Sequence, residues 1–406
     1  DNYFARKNYF YPDLPKGYQV SQHTTPICKN GTVTISVNGK ERHVVLNRIH
    51  LEEDAGKSVH DVDENYTCID LNRAGVPLLE IVSEPDLFSS DEAFAYVTEI
   101  RKMVRHLEIC DGNMEEGSMR CDANVSVRLK GEKELGTKVE VKNLNSIRNV
   151  KKAIDFEINR LINLLENGEE VHQQTRSFDA TNGTTFSLRS KEEANDYRYF
   201  PEPDLAPFLI SKKQIESVKA FMPELPLALE RRLISQYSLS GDAAKIIADD
   251  RKTADFFQNI IQHTHQYKAV SNWIIGPVRS FLNENNLAIE SFPINVIAMA
   301  KLADVTEEGK VSFGIAASKI FPVLINSPEE DPLVIAKELN LLQEKNDDTL
   351  QSWVDEILSS MPDKVSEYKK GKKNLVGLFA GEVKKKSKGK ADMQAVIQLL
   401  NQKLNQ

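Results

Sequence analysis

Cysteine is scarce in this 406-residue chain, and its four copies (Cys28, Cys68, Cys110 and Cys121) form no Cys-x-x-Cys pair. That spacing argues against a zinc site or a disulfide framework and fits a reducing, cytoplasmic setting. No apolar run reaches bilayer length and no signal-peptide pattern opens the chain, so no membrane association is expected. The first residue is Asp1, not an initiator methionine, and we read the sequence as beginning part-way into a soluble protein. A glycine-rich phosphate loop is also missing. Glu52-Glu53-Asp54-Ala55-Gly56-Lys57-Ser58 ends like one, but Leu51 stands where the pattern needs glycine. What remains is an acidic cluster at a strand end beside a glycine turn and Lys57, which a solvated turn would also explain. A net charge of −8 excludes a uniformly basic nucleic-acid binder. The average hides an asymmetry: ten lysines between Lys364 and Lys390 face only Glu367 and Glu382, so a basic tail follows an acidic body.

Length allows two or three domains, each with its own core. To about residue 211 the signals are mostly β. Thr32–Val37 alternates and Asn38-Gly39 turns the chain into a second strand, Arg42–Leu51; Asn182-Gly183 marks another hairpin. Ser89-Ser90-Asp91-Glu92 reads as a capping box opening a helix to about Glu108. Apolar residues from Ile147 to Leu165 at helical spacing predict a second helix stopped by Asn167-Gly168. These signs predict an α+β domain on an antiparallel sheet over 1–221. An all-α helical domain over 222–327 follows Met222-Pro223-Glu224-Leu225-Pro226. Beyond an Asn326–Pro332 linker lies a small α-helical tail over 328–406.

Two segments carry most of the chemical signal. Met119–Arg128 and Lys138–Asn143 alternate between small or apolar and charged or amide residues. A strand sends successive side chains to opposite faces, so Arg120, Asp122 and Asn124 share one face and Lys138, Glu140 and Lys142 another. Carboxylates interleaved with cations and amides suit phosphate and a divalent ion, although a polar face is also what solvent exposure favours. Glu80 interrupts the apolar run Val76–Val82, where a carboxylate needs either a metal or a buried partner such as Arg73 or Arg120. His50 lies near the acidic cluster, but a lone histidine is weak evidence for a site.

Taken together, the motifs Arg6–Asp13, Glu52–Lys57, Asp70–Pro85, Met114–Asn124, Lys142–Ser146 and Asp196–Asp204 resemble, in order, the B subunits (GatB) of the bacterial-type aspartyl/glutamyl-tRNA amidotransferases. That resemblance implies a cradle-shaped, kinase-like antiparallel-sheet domain, a helical domain and a small tail that grips the tRNA elbow. The implied partners are misacylated tRNA, the amidase (A) subunit of the enzyme plus its small (C) subunit, with ATP and Mg2+ as cofactors. It also implies that further N-terminal strands, carrying a Glu-x-His pair for magnesium, precede Asp1. The implied reaction is a ligase step forming a carbon–nitrogen bond with glutamine as amido donor. The side-chain carboxylate of Glu-tRNA(Gln) or Asp-tRNA(Asn) is phosphorylated and then amidated.

By position within these motifs, Glu53, Glu80, Asp122 and Glu140 are expected to hold metal. Lys7, Glu53, Arg120 and Lys142 are expected to act in the reaction, and Lys57, Asn124 and Lys138 to contact the nucleotide. Lys384, Lys385, Lys386, Lys388 and Lys390 are expected to bind the tRNA backbone, although lysines at a helix end also suit the negative end of its dipole. A non-catalytic tRNA-binding scaffold is the alternative. It predicts that the carboxylates are spent in internal ion pairs.

Overall fold

The computed structural model describes residues 2–59, 62–63, 65–190, 197–343 and 347–405. Two compact units divide the chain, Asp1–Pro223 and Glu224–Gln406. Asp196, first residue of one quoted motif, lies outside the described residues.

The first unit begins with β1 (Ala5–Asn8), β2 (Tyr18–Ser21), β3 (Cys28–Val37) and β4 (Lys40–Glu53). Asn38 and Gly39, both at positive φ (51° and 74°), make the two-residue turn between β3 and β4 that the sequence predicts. A small hairpin follows, β5 (Lys57–Val59) with β6 (Cys68–Asp70), and then β7 (Pro77–Ser83). Strand β7 runs antiparallel to β4, pairing His50 with Glu80 and Glu52 with Leu78. Gly56, at the turn between β4 and β5, is hemmed in. A Cβ there would lie 2.8 Å from the Asp70 carbonyl oxygen and 2.9 Å from that of Asp13. The Gly56-Lys57-Ser58 stretch is therefore a packed corner, with Lys57 and Ser58 on β5.

Helix α1 (Ser90–His106) is capped by the Ser89 hydroxyl, which accepts the Glu92 N–H. The reciprocal half of the expected capping box is diverted: the Glu92 carboxylate instead receives the Phe88 N–H and the Arg42 guanidinium. Val33, Ile35 and Val44 of the β3–β4 hairpin pack on Ile100 of α1.

The second sheet holds β8 (Ala123–Val125), β9 (Val139–Lys142), β10 (Gln174–Asp179) and β11 (Thr184–Ser190). Between β9 and β10 runs α2 (Ile147–Glu166), ended by Asn167 and Gly168. Two expectations need correction here. The sheet is not wholly antiparallel, because β9 and β10 pair parallel through the α2 crossover. The Met119–Arg128 segment pairs only over Ala123–Val125, and beyond it the connection passes so close to Val127 that a Cβ at Gly136 would overlap the Val127 carbonyl oxygen. Alternation itself persists: Ala123, Val125, Val139 and Val141 are buried against α1 and α2, leaving Asn124, Glu140 and Lys142 on the other face. Fully buried Leu161 of α2 joins this core, and its truncation to Ala would cost about 2–5 kcal/mol. Strand β12 (Phe200–Pro201) returns to pair with β1. The unit is α+β.

The second unit is helical. One core spans Leu229 to Ala336 around fully buried Trp273, and another spans Leu350 to Leu404 around Phe379. The 326–332 stretch is a turn into the helix Pro332–Glu338, whose Ile335 and Ala336 pack into the first of these cores. The Asp331 carboxylate caps that helix through the Leu333 N–H (2.8 Å) and takes Lys301 Nζ at 2.7 Å.

Candidate active site

Strand β4 sets up the site by simple alternation. His50 and Glu52 are two residues apart and share a face, and the β4–β7 register sets Glu80 directly beside His50. One ligand atom from each of His50, Glu52 and Glu80 lies within 4.8 Å of the others. His50 Nε2 stands 3.4 Å from Glu52 Oε2 and 3.7 Å from Glu80 Oε2, long for hydrogen bonds. Among the described residues, no lysine or arginine forms an ion pair with Glu52 or Glu80. Glu52 takes a hydroxyl bond from Ser21 at 3.3 Å, and the buried His50 Nδ1 has no hydrogen-bond partner. Two neighbouring carboxylates without a counter-charge repel each other, and an imidazole facing both offers a third donor. A divalent cation with bonds of about 2–2.5 Å suits that set, whose carboxylates favour a hard ion while the imidazole extends the choice to Mn2+.

A cationic and aromatic rim adjoins this trio. Lys7 Nζ on β1 lies 4.8 Å from the Tyr197 ring centroid and 5.6 Å from that of Tyr9. Burial, followed by the charge of Glu52, pushes the Tyr9 hydroxyl up to about 12. Tyr199, stacked on His23 with centroids 3.8 Å apart, is raised by burial and then by Tyr197, Glu52 and Glu80. The trio, Lys7 and the tyrosines thus share one neighbourhood.

The four carboxylates expected around one metal are divided among three places. Glu80 joins the trio, on an edge strand with its side chain 48% exposed, so the buried Glu–Arg pair considered from sequence is not formed. Arg73 and Arg120 bind Asp54 instead. Glu53 points to the opposite face of β4, where Lys16 Nζ (2.5 Å) and the Val20 N–H (2.8 Å) occupy it. Asp122 and Glu140 sit with the second sheet around Lys142, whose Nζ is 2.9 Å from Asp122 Oδ2 and 3.3 Å from Glu140 Oε1. Burial opposes the charge on Lys142, but the hydrogen bond and charge of Asp122, with Glu140 next, outweigh it and raise the ammonium pKa. Thr175 donates to Glu140 at 2.9 Å, and Asn124 stands opposite Glu140 in the β8–β9 ladder. Lys57 and Lys138 are exposed, on β5 and just before β9. Glu53, Asp122 and Glu140 therefore meet the scaffold expectation of internal ion pairs, whereas Glu52 and Glu80 do not.

Sequence reasoning placed Glu52 in an acidic cluster and noted His50 beside it, but assigned neither to the site. The signal for both was their spacing within a strand entered from an unmistakable hairpin turn. In the tail, Lys385 pairs with Glu382 (2.7 Å) and Lys386 with Glu356, while Lys384, Lys388 and Lys390 make no ion pair among the described residues. Among those residues, no helix is long and apolar enough to cross a membrane.

Residues 1–216 match the GatB/GatE catalytic domain and residues 255–404 the GatB domain, which makes the chain one component of a tRNA-dependent amidotransferase. The chain is 46% identical to the B subunit of the aspartyl/glutamyl-tRNA(Asn/Gln) amidotransferase of Bdellovibrio bacteriovorus over 402 residues, covering 99% of this chain and 83% of that protein. Its counterpart from Oleidesulfovibrio alaskensis is 45% identical over 404 residues (100% and 84%), and that from a Geobacter species 46% over 408 (99% and 84%). The chain belongs to the B-subunit family of the aspartyl/glutamyl-tRNA(Asn/Gln) amidotransferases.

Proposed function

We propose that this chain activates the side-chain carboxylate of Glu-tRNA(Gln) or Asp-tRNA(Asn) with ATP, within an assembly that also contains the amidase and a small third component. A carboxylate repels nucleophiles and its oxygen leaves poorly, so direct amidation is slow. Phosphorylation removes both obstacles. The bond from the γ-phosphorus to the ADP oxygen breaks as a carboxylate oxygen bonds to that phosphorus. Ammonia released from glutamine then attacks the acyl carbon, and inorganic phosphate leaves with the former carboxylate oxygen.

The observation that carries this reading is the uncompensated His50, Glu52 and Glu80 trio. These residues would hold a divalent cation, which when bound neutralises phosphate oxygens and aligns them. Lys7, held against Tyr9 and Tyr197 and free of carboxylate partners among the described residues, would offset charge on the transferring phosphoryl group or the activated acyl group. Rigid placement by paired strands is what such chemistry asks of a protein, because phosphoryl transfer depends on positioning more than on covalent help. Exposed Lys384 and Lys388 and half-buried Lys390 would follow tRNA phosphates without reading bases.

The test is ADP formation by the reconstituted assembly with Mg2+ and either misacylated tRNA. Glu52→Gln and Glu80→Gln are expected to abolish tRNA-stimulated ADP formation while glutamine hydrolysis by the amidase continues. Full ADP formation in both variants would overturn the assignment.

A further inference from the structure

The metal trio has a cationic neighbour on the same strand face. Asp54 follows β4 and extends its ladder with β7: the Asp54 N–H donates to the Val76 carbonyl (2.8 Å), and the Gly75 N–H to the Asp54 carbonyl (2.9 Å). Alternation therefore continues the His50 and Glu52 face to Asp54, about 7 Å beyond Glu52. The Asp54 side chain is only 3% exposed. Its Oδ1 and Oδ2 accept Arg120 Nη2 at 2.7 and 2.6 Å, Oδ2 accepts Arg73 Nε at 3.0 Å, and Oδ1 accepts the Ala55 N–H at 3.0 Å.

The stoichiometry of this cluster is unusual for a structural ion pair. One buried carboxylate holds two guanidiniums, leaving a surplus positive charge. Each arginine spends a single nitrogen on Asp54, in place of the two-nitrogen fork that makes such pairs strongest. Nε and Nη1 of Arg120 and both terminal nitrogens of Arg73 make no other hydrogen bond among the described residues. Both side chains reach solvent, at 59% and 38% exposure. Asp111, a further carboxylate that feels Arg73, is already engaged by the Asn113 N–H and the Ser118 hydroxyl.

We propose that Asp54 is a positioning residue that clamps Arg73 and Arg120 side by side as a seat for the phosphate chain of the nucleotide, next to the His50–Glu52–Glu80 trio. This rests on the nucleotide-dependent reading given above. Asp54 fixes the two arginines from beneath, and their unspent donors face the ligand. A planar guanidinium matches two phosphate oxygens at once, which an ammonium does not. Arg120 also leads directly into Asp122 and β8, so the clamp ties the two sheets at the point where the nucleotide would lie.

The experiment measures KM for ATP, kcat and KM for misacylated tRNA in the reconstituted assembly carrying Arg120→Gln, Arg120→Lys, Arg73→Gln or Asp54→Asn. Mn2+ affinity without nucleotide is followed by electron paramagnetic resonance. Each substitution, including the lysine variant, is expected to raise KM for ATP about tenfold or more, with kcat changed less and Mn2+ affinity unchanged. Lower thermal stability with an unchanged KM for ATP would reduce the cluster to a structural tie. A rise confined to KM for tRNA would assign the arginines to the nucleic acid; both results overturn the proposal. If Asp54→Asn fails to fold, the exposed Arg120 variants still decide the matter. Absence of ATP turnover in the unaltered assembly would instead refute the functional reading beneath it.

Discussion

Two polar sheet faces in the first unit look alike in sequence and differ in charge balance. On β8–β9, Asp122 and Glu140 flank Lys142, which pairs with both of them within 3.3 Å. On β4–β7, Glu52 and Glu80 flank His50, and no lysine or arginine pairs with either carboxylate among the described residues. Alternation produces both faces, but a cation supplied two residues along the same strand closes one of them. A carboxylate-rich strand thus points to a metal only after its lysines have been placed. The β8–β9 face, the more conspicuous in sequence, is the more self-sufficient in space.

The largest effect that would break this contrast is at the open face. Glu52→Ala or Glu80→Ala should lower Mg2+-dependent phosphoryl transfer by about a hundredfold or more with the fold retained, measured as tRNA-stimulated ADP release. Next comes the tail. Replacing Lys384, Lys388 and Lys390 together by Gln should weaken tRNA binding and flatten its log–log salt dependence by about one unit per lost phosphate contact, as filter binding would show.

A smaller effect tests pairing where it is complete. The Arg6 guanidinium binds the buried Glu202 carboxylate through Nε (2.7 Å) and Nη2 (2.8 Å), and this hydrogen bonding holds the Glu202 pKa below its ordinary value. Because the folded value is depressed, the stabilisation is present above the ordinary carboxylate range and lost as pH falls through the folded value. Glu202→Gln should therefore lower Tm at neutral pH, and the two melting curves should converge in acid. Smallest is Lys142→Ala, expected to cost about 1 kcal/mol or less because the pair is partly exposed. That variant sharpens the comparison directly: with Lys142 gone, Asp122 and Glu140 should acquire a weak Mn2+ affinity that the unaltered chain lacks at this face. No added binding would show that Lys142 is not what closes it.

Local features were legible in the sequence. The Asn38-Gly39 turn, the Ser89 cap and the Asn167-Gly168 stop are each written in a few adjacent residues, and the structure places them there. Long-range features were not. The trio depends on which residue of β7 sits opposite His50, and the residues between the two strands include a hairpin that does not reveal the register. Glu80 looked buried because its neighbours are apolar. However, among the described residues β7 pairs only with β4, and Val76 and Leu79 are themselves more than 40% exposed. Arg120 looked like a partner for Glu80, but Asp54, hidden within an acidic run, takes it.

The return of β12 to β1 has a consequence for biosynthesis. Strands β4 and β7 are both available once Ser83 has been made, so a nascent chain can assemble the acidic trio early. The ring that holds Lys7 belongs to Tyr197, and β12 joins Ala5 to Pro201 across nearly the whole unit. Closing so long a loop is entropically costly and slow. On the ribosome, Lys7 would thus be caged last, and a polypeptide released before about residue 200 would carry the acidic trio without the lysine cage beside it.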